Sequence, residues 1–411
     1  GTIAGYGSYD YRSATCGIIN EATTIINSGT IIGEFSGIKN ISDGLLTIFD
    51  GILQGNYALN TYSSQPVIIH NGTFKGSSYG IFNASSSVIT MHNVNVISEY
   101  TGIHNQSAGT INIEKGSIEV SNTSYGQGIY NESSGTINVG IKGDKNEDNS
   151  LNVSKENPII ISTKIGIYNG STGILNFYDG IIKAVETAIT GGINEVETDY
   201  EFVTKNDDTY KDIKYLGKLP AVKLKSTDAE YYSIQEAIDA SSDGDTIELL
   251  RNITYLSTSS SNVITSDKNL ILNLNGYIIN GGNLPVIDNK GTLKIIDSTS
   301  SEIDSVINYG TGKLNSPNGN LINNSGNLLL DKIILTTQNE KTPIVNFGNL
   351  DVSDTKIISD GQTSIGIKNE DSGTVVINGG SINATMYGID STSTGKITIN
   401  SGNIYVSKDI C

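Results

Sequence analysis

The chain has 411 residues, long enough for two domains, and it contains 46 glycines, 6 prolines and no tryptophan. Its formal net charge is −17. That charge argues against a nucleic-acid partner and against binding to anionic membranes, because no basic surface is available to neutralise phosphate groups.

A four-residue block, Gly-Ile-x-Asn, recurs along the first half of the chain. The blocks begin 20 to 26 residues apart, except for one step of 38, and related blocks return in the second half. Such a period predicts a solenoid of stacked coils. The copies in the first half are Gly17–Asn20, Gly37–Asn40, Gly80–Asn83, Gly102–Asn105, Gly128–Asn131 and Gly166–Asn169, with degenerate copies at Tyr57–Asn60 and Ala188–Gly191. The second half repeats the rhythm at Pro343–Asn346, Gly366–Asn369 and Gly388–Asp390.

Each period holds three short runs in which Ile or Val alternates with polar residues, which is the periodicity of strands. One example consists of Gly102-Ile103-His104, Thr110–Ile113 and Ser117–Val120. Three such strands and three turns fill about 22 residues, so the sequence predicts an all-β fold, a parallel β-helix solenoid with three strands per coil. The inward Ile and Val side chains of neighbouring coils then form one continuous core.

The Asn that ends each block is predicted to form an internal ladder at a turn. Asn tolerates left-handed turn conformations, and its amide can hydrogen-bond to nearby backbone or to the equivalent Asn of the next coil. Asp288 and Asp390 are variants of this position in the second half. The predicted ladder consists of Asn20, Asn40, Asn60, Asn83, Asn105, Asn131, Asn169, Asn323, Asn346 and Asn369.

These coils and the stacked Asn turn resemble the right-handed parallel β-helix proteins of the pectin-lyase-like superfamily, and the resemblance covers nearly the whole chain. The repeat motifs, such as GIYN, SSGTINI and GGSI, also resemble those of repetitive adhesin-like surface proteins of gut bacteria. The resemblance implies either a surface protein or an enzyme that acts on polysaccharides.

Two departures from the repeat are expected in the first module, which we place at residues 1–217. The insertion Gly140–Ser150 predicts a surface loop; a Ca²⁺ site formed by Asp144, Glu147 and Asp148 is an alternative, although the spaced acidic pattern of known calcium loops is absent. The stretch from about 193 to 217 is predicted to be a hairpin that covers the open end of the first solenoid.

A second module is predicted at residues 218–411. Ser233 and Glu236 have the spacing of a capping box, Tyr232 can pack against Ala237, and together they predict a capping helix at about 233–241. A strand is predicted to follow from Thr246 to Leu250, and this order of helix, turn and strand resembles the N-terminal cap of pectin-lyase-like domains. Ser298–Ser316 is predicted to be a further polar insertion.

The two cysteines, Cys16 and Cys411, are too few for a disulfide framework, and their distance along a solenoid argues against an intramolecular bond. Cys16 is expected to be a small core residue. The sequence contains no signal peptide, transmembrane span or sorting signal. We therefore interpret the chain as part of a longer bacterial surface protein whose export and anchor segments lie outside it.

Recognisable catalytic patterns are missing from the regular coils. The two arginines, Arg12 and Arg251, lie outside them, and His70, His92 and His104 are not flanked by glycines. Carboxylates from different coils could still form a glycosidase pair, and the candidates are Asp43, Asp50 and Glu34. His70 and His92 are one period apart and could stack, so a metal site is a further hypothesis, although the sequence shows no third ligand.

Tyrosine is the most suggestive residue type, with 21 copies. Tyr79, Tyr100 and Tyr125 lie shortly before Gly-Ile blocks and could form a row that binds sugars or proteins, or could simply pack on neighbouring turns. We expect a non-enzymatic extracellular adhesin or structural stalk, without cofactor or metal, whose partners are glycans or surface proteins. The alternatives are a polysaccharide-binding or polysaccharide-degrading β-helix and a trimeric fibre.

Overall fold

The computed structural model describes residues 1–5, 15–146, 151–255, 264–283, 285–303 and 306–407. The chain divides into two compact units, Gly1–Leu219 and Pro220–Cys411, and this division falls close to the predicted boundary at Gly217. Arg12, Glu147, Asp148 and Cys411 lie outside the described residues, so the predicted roles of these four residues remain predictions.

Both units are parallel β-helices, and the predicted fold class is confirmed. Equivalent positions in successive coils are typically 22 residues apart, as in the pairs Tyr79 with Thr101 and Asn83 with Asn105. Alternation explains the core: in Thr110–Ile113, Ile111 and Ile113 are buried while Thr110 and Asn112 are half-exposed. Repetition of this pattern gives each unit one continuous aliphatic core.

Unit 1 contains strands β1 to β22, which form three faces. Three long strands, β7 to β9, continue around corners of the coil and join the faces. In chain order the strands are Thr2–Gly5, Cys16–Asn20, Thr23–Ile26, Thr30–Gly33, Ser36–Asn40, Leu45–Ile48, Ile52–Thr61, Val67–Asn83, Val88–Ser98, Thr101–Asn105, Thr110–Ile113, Gly116–Val120, Gln127–Asn131, Thr136–Val139, Ile159–Ser162, Ile165–Asn169, Ile174–Phe177, Ile181–Ala184, Thr187–Thr190, Glu195–Val196, Tyr200–Lys205 and Asp212–Lys218.

The last two strands of unit 1 form the expected hairpin. β21 and β22 pair antiparallel, and β22 also pairs antiparallel with β18, the last strand of the third face. Leu216 is fully buried against the core of unit 1. The hairpin therefore covers a strand edge and apolar residues that the final coil would otherwise expose.

Unit 2 contains helix α1, Ile234–Ala240, and strands β23 to β44. The N-cap is Ser233, whose hydroxyl accepts a hydrogen bond from Glu236 N at 3.1 Å, while the Glu236 carboxylate accepts one from Tyr232 N at 3.0 Å. The strands are Val222–Leu224, Ala229–Tyr231, Thr246–Leu249, Ile253–Thr254, Ile264–Ser266, Asn269–Asn273, Ile278–Asn280, Ile287–Asn289, Thr292–Ile296, Ser301–Ile303, Val306–Asn308, Lys313–Ser316, Ile322–Asn324, Asn327–Asp331, Ile334–Thr337, Ile344–Asn346, Asn349–Ser353, Thr355–Ser359, Ile365–Asn369, Thr374–Ala384, Tyr387–Ser391 and Ile397–Val406.

The insertion within Ser298–Ser316 contains a short antiparallel hairpin of β32 and β33. At its base, the buried Asp297 carboxylate accepts hydrogen bonds from the backbone N–H groups of Gly276, Thr299 and Gly312. A single carboxylate therefore organises the turn from which this hairpin leaves the coil.

An asparagine ladder is present in each unit. In unit 1 the amide of Asn20 donates to Asn40 at 2.8 Å, and the run Asn83, Asn105, Asn131 and Asn169 is linked by bonds of 3.0, 3.1 and 2.8 Å. In unit 2, Nδ2 of one ladder residue donates to Oδ1 of the next along Asn289, Asn324, Asn346 and Asn369, each bond measuring 2.7 Å.

Two predicted ladder positions are wrong by one residue. Asn60 aligns with Lys39, and Thr61 takes the ladder place beside Asn40 and Asn83. Because Leu59 is the inward residue of this strand, Asn60 faces the outer side of the coil. The Asn60 side chain is nevertheless fully buried, and neither polar atom of its amide has a hydrogen-bond partner within the described structure.

The same shift occurs in unit 2. Ile322 is the inward residue of β35, so Asn324 is the ladder residue and Asn323 faces outward. For the same reason, Asn289 replaces Asp288, and Ser391 replaces Asp390 beside Asn369. The ladder position follows the alternation of the strand, so it is the second residue after the buried aliphatic one.

Candidate functional site

An open groove of about 420 Å³ crosses consecutive coils of unit 1. It lies where each coil leaves its third face and turns back to its first. We call it the coil-edge groove. Its lining residues are Ile32, Gly33, Glu34, Gln54, Gly55, Asn56, Lys75, Gly76, Ser77, Ile97, Ser98, Glu99 and Ser121.

Glycine occupies this corner in three consecutive coils, at Gly33, Gly55 and Gly76, and Ser98 takes the equivalent place in the next coil. A Cβ added to Gly33 would lie 1.9 Å from Ser36 O, and one added to Gly76 would lie 1.8 Å from Tyr79 O. Neither distance is compatible with a side chain, so the backbone at these two positions requires glycine. The residue after each glycine, such as Glu34 or Ser77, then lines the groove.

The charged residues of the groove are Glu34, Lys75 and Glu99. Glu34 and Glu99 occupy equivalent turns three coils apart, with Asn56 and Ser77 between them. At a strand spacing of about 4.8 Å, their backbones are about 14 Å apart. Glycosidase carboxylates lie about 5–9.5 Å apart, so these two side chains would have to extend toward each other to form such a pair.

An aromatic row follows the groove along the chain. Tyr57 and Tyr79 have stacked rings with centroids 5.0 Å apart, and His104, Tyr130 and Tyr168 continue the row with centroid separations of 5.5, 4.7 and 5.0 Å. Tyr100 lies one coil after Tyr79, in the turn directly after Glu99, and its side chain is 42% exposed. Ile97, a lining residue, is exposed to the same extent, 42%. Aromatic and aliphatic surface beside a polar groove is a common environment for sugar rings.

The three tyrosines predicted to bind a ligand do not form one row. Tyr79 pairs across the sheet with Thr101, so Tyr100 and Tyr125 lie in the turns before the equivalent position. Tyr79 is half-buried in the aromatic row, whereas Tyr125 is 72% exposed. Tyr100 is therefore the one of the three that combines exposure with a place directly after a groove residue.

His104 lies within the aromatic row and is buried. Its Nε2 is 2.9 Å from the Glu132 carboxylate, and its Nδ1 has no partner among the described residues. Burial lowers the pKa of His104, and Glu132 opposes that shift. The ring itself packs between Tyr79 and Tyr130 as an aromatic member of the row.

His70 and His92 stack as expected. Their ring centroids are 4.9 Å apart, Phe49 stacks on His70 at 4.8 Å, and His92 Nδ1 lies 2.6 Å from Glu114 Oε2. Across the described part of the chain, no group of three His, Cys, Asp or Glu side chains is arranged to hold a metal ion. Cys16 is half-buried at the start of β2, and burial raises the pKa of its thiol.

A second cluster of carboxylates holds the insertion that follows β14. Glu197 is buried and accepts a hydrogen bond from Gly143 N at 2.7 Å, while Asp179 accepts from Ser154 N at 2.5 Å. Burial raises the pKa of Asp179 to about 6, and the nearby Asp144 acts in the same direction. Of the proposed calcium ligands, the described Asp144 instead accepts a hydrogen bond from Asn152 Nδ2 at 2.9 Å.

The predicted carboxylates divide between two environments. Glu34 lines the coil-edge groove, whereas Asp43 and Asp50 are exposed turn residues outside the lining. The groove was missed from the sequence, although glycine followed by a polar residue recurs at Gly33-Glu34, Gly55-Asn56 and Gly76-Ser77. That recurrence was the available signal.

Comparison with protein-family models, curated proteins and solved structures gives no match. The described residues include no helix of the length and hydropathy that crossing a membrane requires. The arguments about function therefore rest on the groove and its surroundings.

Proposed function

We propose that this chain is an extracellular surface protein that binds glycans through the coil-edge groove and acts as an adhesin or structural scaffold without cleaving them. The observation that carries this proposal is the polar groove of about 420 Å³, with exposed Ile97 at its wall and exposed Tyr100 directly after Glu99. Polar lining groups can bond sugar hydroxyls, and an exposed aromatic ring can stack on a sugar face.

Binding is preferred over hydrolysis because the two groove carboxylates belong to turns about 14 Å apart at the backbone, so they would reach the 5–9.5 Å spacing of a glycosidase pair only if both side chains extended toward each other. Membership of the pectin-lyase-like superfamily and a bacterial cell-surface location are parts of the same proposal. They are supported by the coil length, by the asparagine ladders and by the strongly acidic composition.

The test is affinity electrophoresis of the full chain through gels that contain soluble plant, host or bacterial polysaccharides. We expect retardation by at least one polysaccharide and a clear loss of retardation in Tyr100→Ala. Tyr387→Ala is the matched control, because Tyr387 is 44% exposed and belongs to unit 2, whereas the groove belongs to unit 1. Equal retardation of both variants would show that the groove is not the binding site. No retardation by any polysaccharide would reject glycan binding.

A further inference from the structure

The amide of Asn60 is buried on the outer side of a coil, where a polar side chain normally meets water. Neither of its polar atoms has a hydrogen-bond partner among the described residues, and the exposed fraction of 0% leaves no contact with solvent. An unpaired amide in such a place costs free energy. A buried polar group of this kind calls for an explanation, and the surroundings of Asn60 supply one.

Aromatic rings lie beside Asn60. Among the outward residues at equivalent positions of successive coils, Asn60 stands between Lys39 and Phe82. Phe82 packs edge-on against Tyr57, which is on the same strand as Asn60, with ring centroids 5.5 Å apart. A donor and an acceptor set among aromatic rings are the combination of polar and apolar groups that small-molecule sites use.

The ring of Tyr62 covers Asn60. Its centroid lies 6.3 Å from the Phe82 ring centroid and 5.9 Å from Lys39 Nζ. These contacts fall on the two neighbours of Asn60, so the Tyr62 ring spans the position between them. Tyr62 is 50% exposed, and its backbone N–H donates to Asn40 O at 2.7 Å. Because the backbone is held, a change of side-chain rotamer is enough to uncover the amide.

We propose that Asn60, Tyr57 and Phe82 form a closed sugar subsite that opens when the Tyr62 ring swings away. The amide offers a donor and an acceptor side by side, so it matches two adjacent free hydroxyls of a sugar. One hydroxyl donates to Asn60 Oδ1, the next accepts from Asn60 Nδ2, and the aromatic rings pack on the apolar face of the sugar.

This subsite adjoins the coil-edge groove. Asn56, a lining residue of the groove, is on the same strand and four residues before Asn60, which is about 13 Å along an extended chain. A glycan in the groove can therefore place one of its sugars on Asn60. The inference rests on the proposed glycan-binding function and adds the feature of the sugar that is recognised.

The probes are three neutral hexamers, made of β-1,4-linked glucose, β-1,4-linked mannose and β-1,3-linked glucose. Internal sugars of the β-1,4 hexamers keep two adjacent free hydroxyls, in two stereochemistries, whereas the β-1,3 linkage leaves no adjacent pair on an internal sugar. Isothermal titration with the full chain measures the affinities. We expect at least one β-1,4 hexamer to bind about tenfold more tightly than the β-1,3 hexamer, because it makes two additional hydrogen bonds.

Asn60→Leu separates recognition of the sugar from stability of the fold. It should weaken binding of the preferred β-1,4 hexamer about tenfold, although the same variant raises the urea midpoint of unfolding. A residue with only a packing role would not lose binding while the fold gains stability. Asn112→Leu is the matched control, because Asn112 is a half-exposed outward asparagine of another face, and it should leave the affinity unchanged.

The cover formed by Tyr62 is tested without a ligand. In Tyr62→Ala the amide of Asn60 meets water, so the further change Asn60→Leu should no longer raise the urea midpoint. An equal rise with and without Tyr62 would show that the ring does not cover the amide, and would overturn the closed subsite.

The binding outcomes separate this inference from the proposed function. The subsite is overturned if neither β-1,4 hexamer binds more tightly than the β-1,3 hexamer, or if Asn60→Leu binds as tightly as the unaltered chain. Retention by a polysaccharide that is lost in Tyr100→Ala and unchanged in Asn60→Leu would overturn the subsite and leave the proposed function in place. If no hexamer and no polysaccharide binds, the proposed function falls and this inference falls with it.

Discussion

The inner asparagine ladder should contribute far more to stability than a chemically identical ladder on the surface, and one coil of unit 1 contains both. Asn105 on β10 is fully buried; its Nδ2 donates to Gly109 O at 2.8 Å and to Asn131 Oδ1 at 3.1 Å, and its Oδ1 accepts from Asn83 at 3.0 Å. Asn112 on β11 faces outward, half-exposed, and bonds to Thr90 at 3.2 Å and Asn138 at 2.8 Å.

The expected loss for Asn105→Ala is about 4 kcal/mol, because truncation leaves two buried polar atoms facing a cavity at about 1–3 kcal/mol each. These atoms are Asn83 Nδ2 and Asn131 Oδ1; Gly109 O keeps its backbone bond from Thr136 N. Asn112→Ala should cost less than about 1 kcal/mol, since water replaces the lost bonds of a surface residue.

The assay is urea unfolding of the full chain followed by circular dichroism, with hydrogen exchange detected by mass spectrometry to localise the effect. Solenoids can lose cooperativity when one coil is weakened, so exchange in β10 and β13 is compared directly with exchange in β11 and β14. Asn105→Ala should accelerate exchange in the first pair. Equal losses in the two variants, or a loss below about 1 kcal/mol for Asn105→Ala, would refute the reasoning.

Three further predictions concern single positions of unit 1. Asn60→Leu should stabilise the protein by about 1–2 kcal/mol in urea unfolding, because the buried amide makes no hydrogen bond that leucine would lose; clear destabilisation would show that the amide has a partner. Gly76→Ala should destabilise the protein by about 3 kcal/mol or more in the same unfolding assay, since the added Cβ would lie 1.8 Å from Tyr79 O. The control Gly192→Ala should change the stability very little, because a Cβ at Gly192 has no neighbouring atom within 4 Å. The pKa of Asp179 is raised to about 6 in the folded state, so its ionised form destabilises the fold above that pH and the penalty fades as the pH falls toward the ordinary value of 3.8. Asp179→Asn should therefore stabilise by about 1 kcal/mol near pH 8, after allowance for solvent screening, and by almost nothing near pH 4; a gain that is largest in acid would contradict this sign.

Much of the fold was predictable because a solenoid repeats its local rules. Ile111 and Ile113 alternate with Thr110 and Asn112, and the same alternation in neighbouring coils defines the core, the faces and the ladder. The capping helix was predictable for a different reason: Ser233 and Glu236 carry a local hydrogen-bonding pattern that requires no tertiary information.

The errors arose where the position of a residue depends on strand register. Asn60 and Asn323 were assigned from the block pattern, but the buried Leu59 and Ile322 set the alternation and place the next residue outward. A bulge between Gly55 and Tyr57 contributes to the shift in the first case. Counting from the buried aliphatic residue would have found Thr61 and Asn324.

The coil-edge groove was harder to predict because its residues belong to turns of different coils. Glu34 and Glu99 are 65 positions apart in the sequence and share one groove only through the stacking of coils. Their relation becomes visible when the glycine column of Gly33, Gly55 and Gly76 is recognised. The contacts of Asp179 and Glu197 with the insertion were equally inaccessible, because an insertion has no repeat from which its course can be inferred.

The most direct test of glycan binding without cleavage is to identify a polysaccharide that the full chain retains, incubate the two for a long period, and analyse the mixture by mass spectrometry. The account predicts that the polysaccharide is bound and that its mass profile is unchanged. New oligosaccharides that are absent with heat-treated protein would contradict the account and direct attention to carboxylates brought together across neighbouring coils.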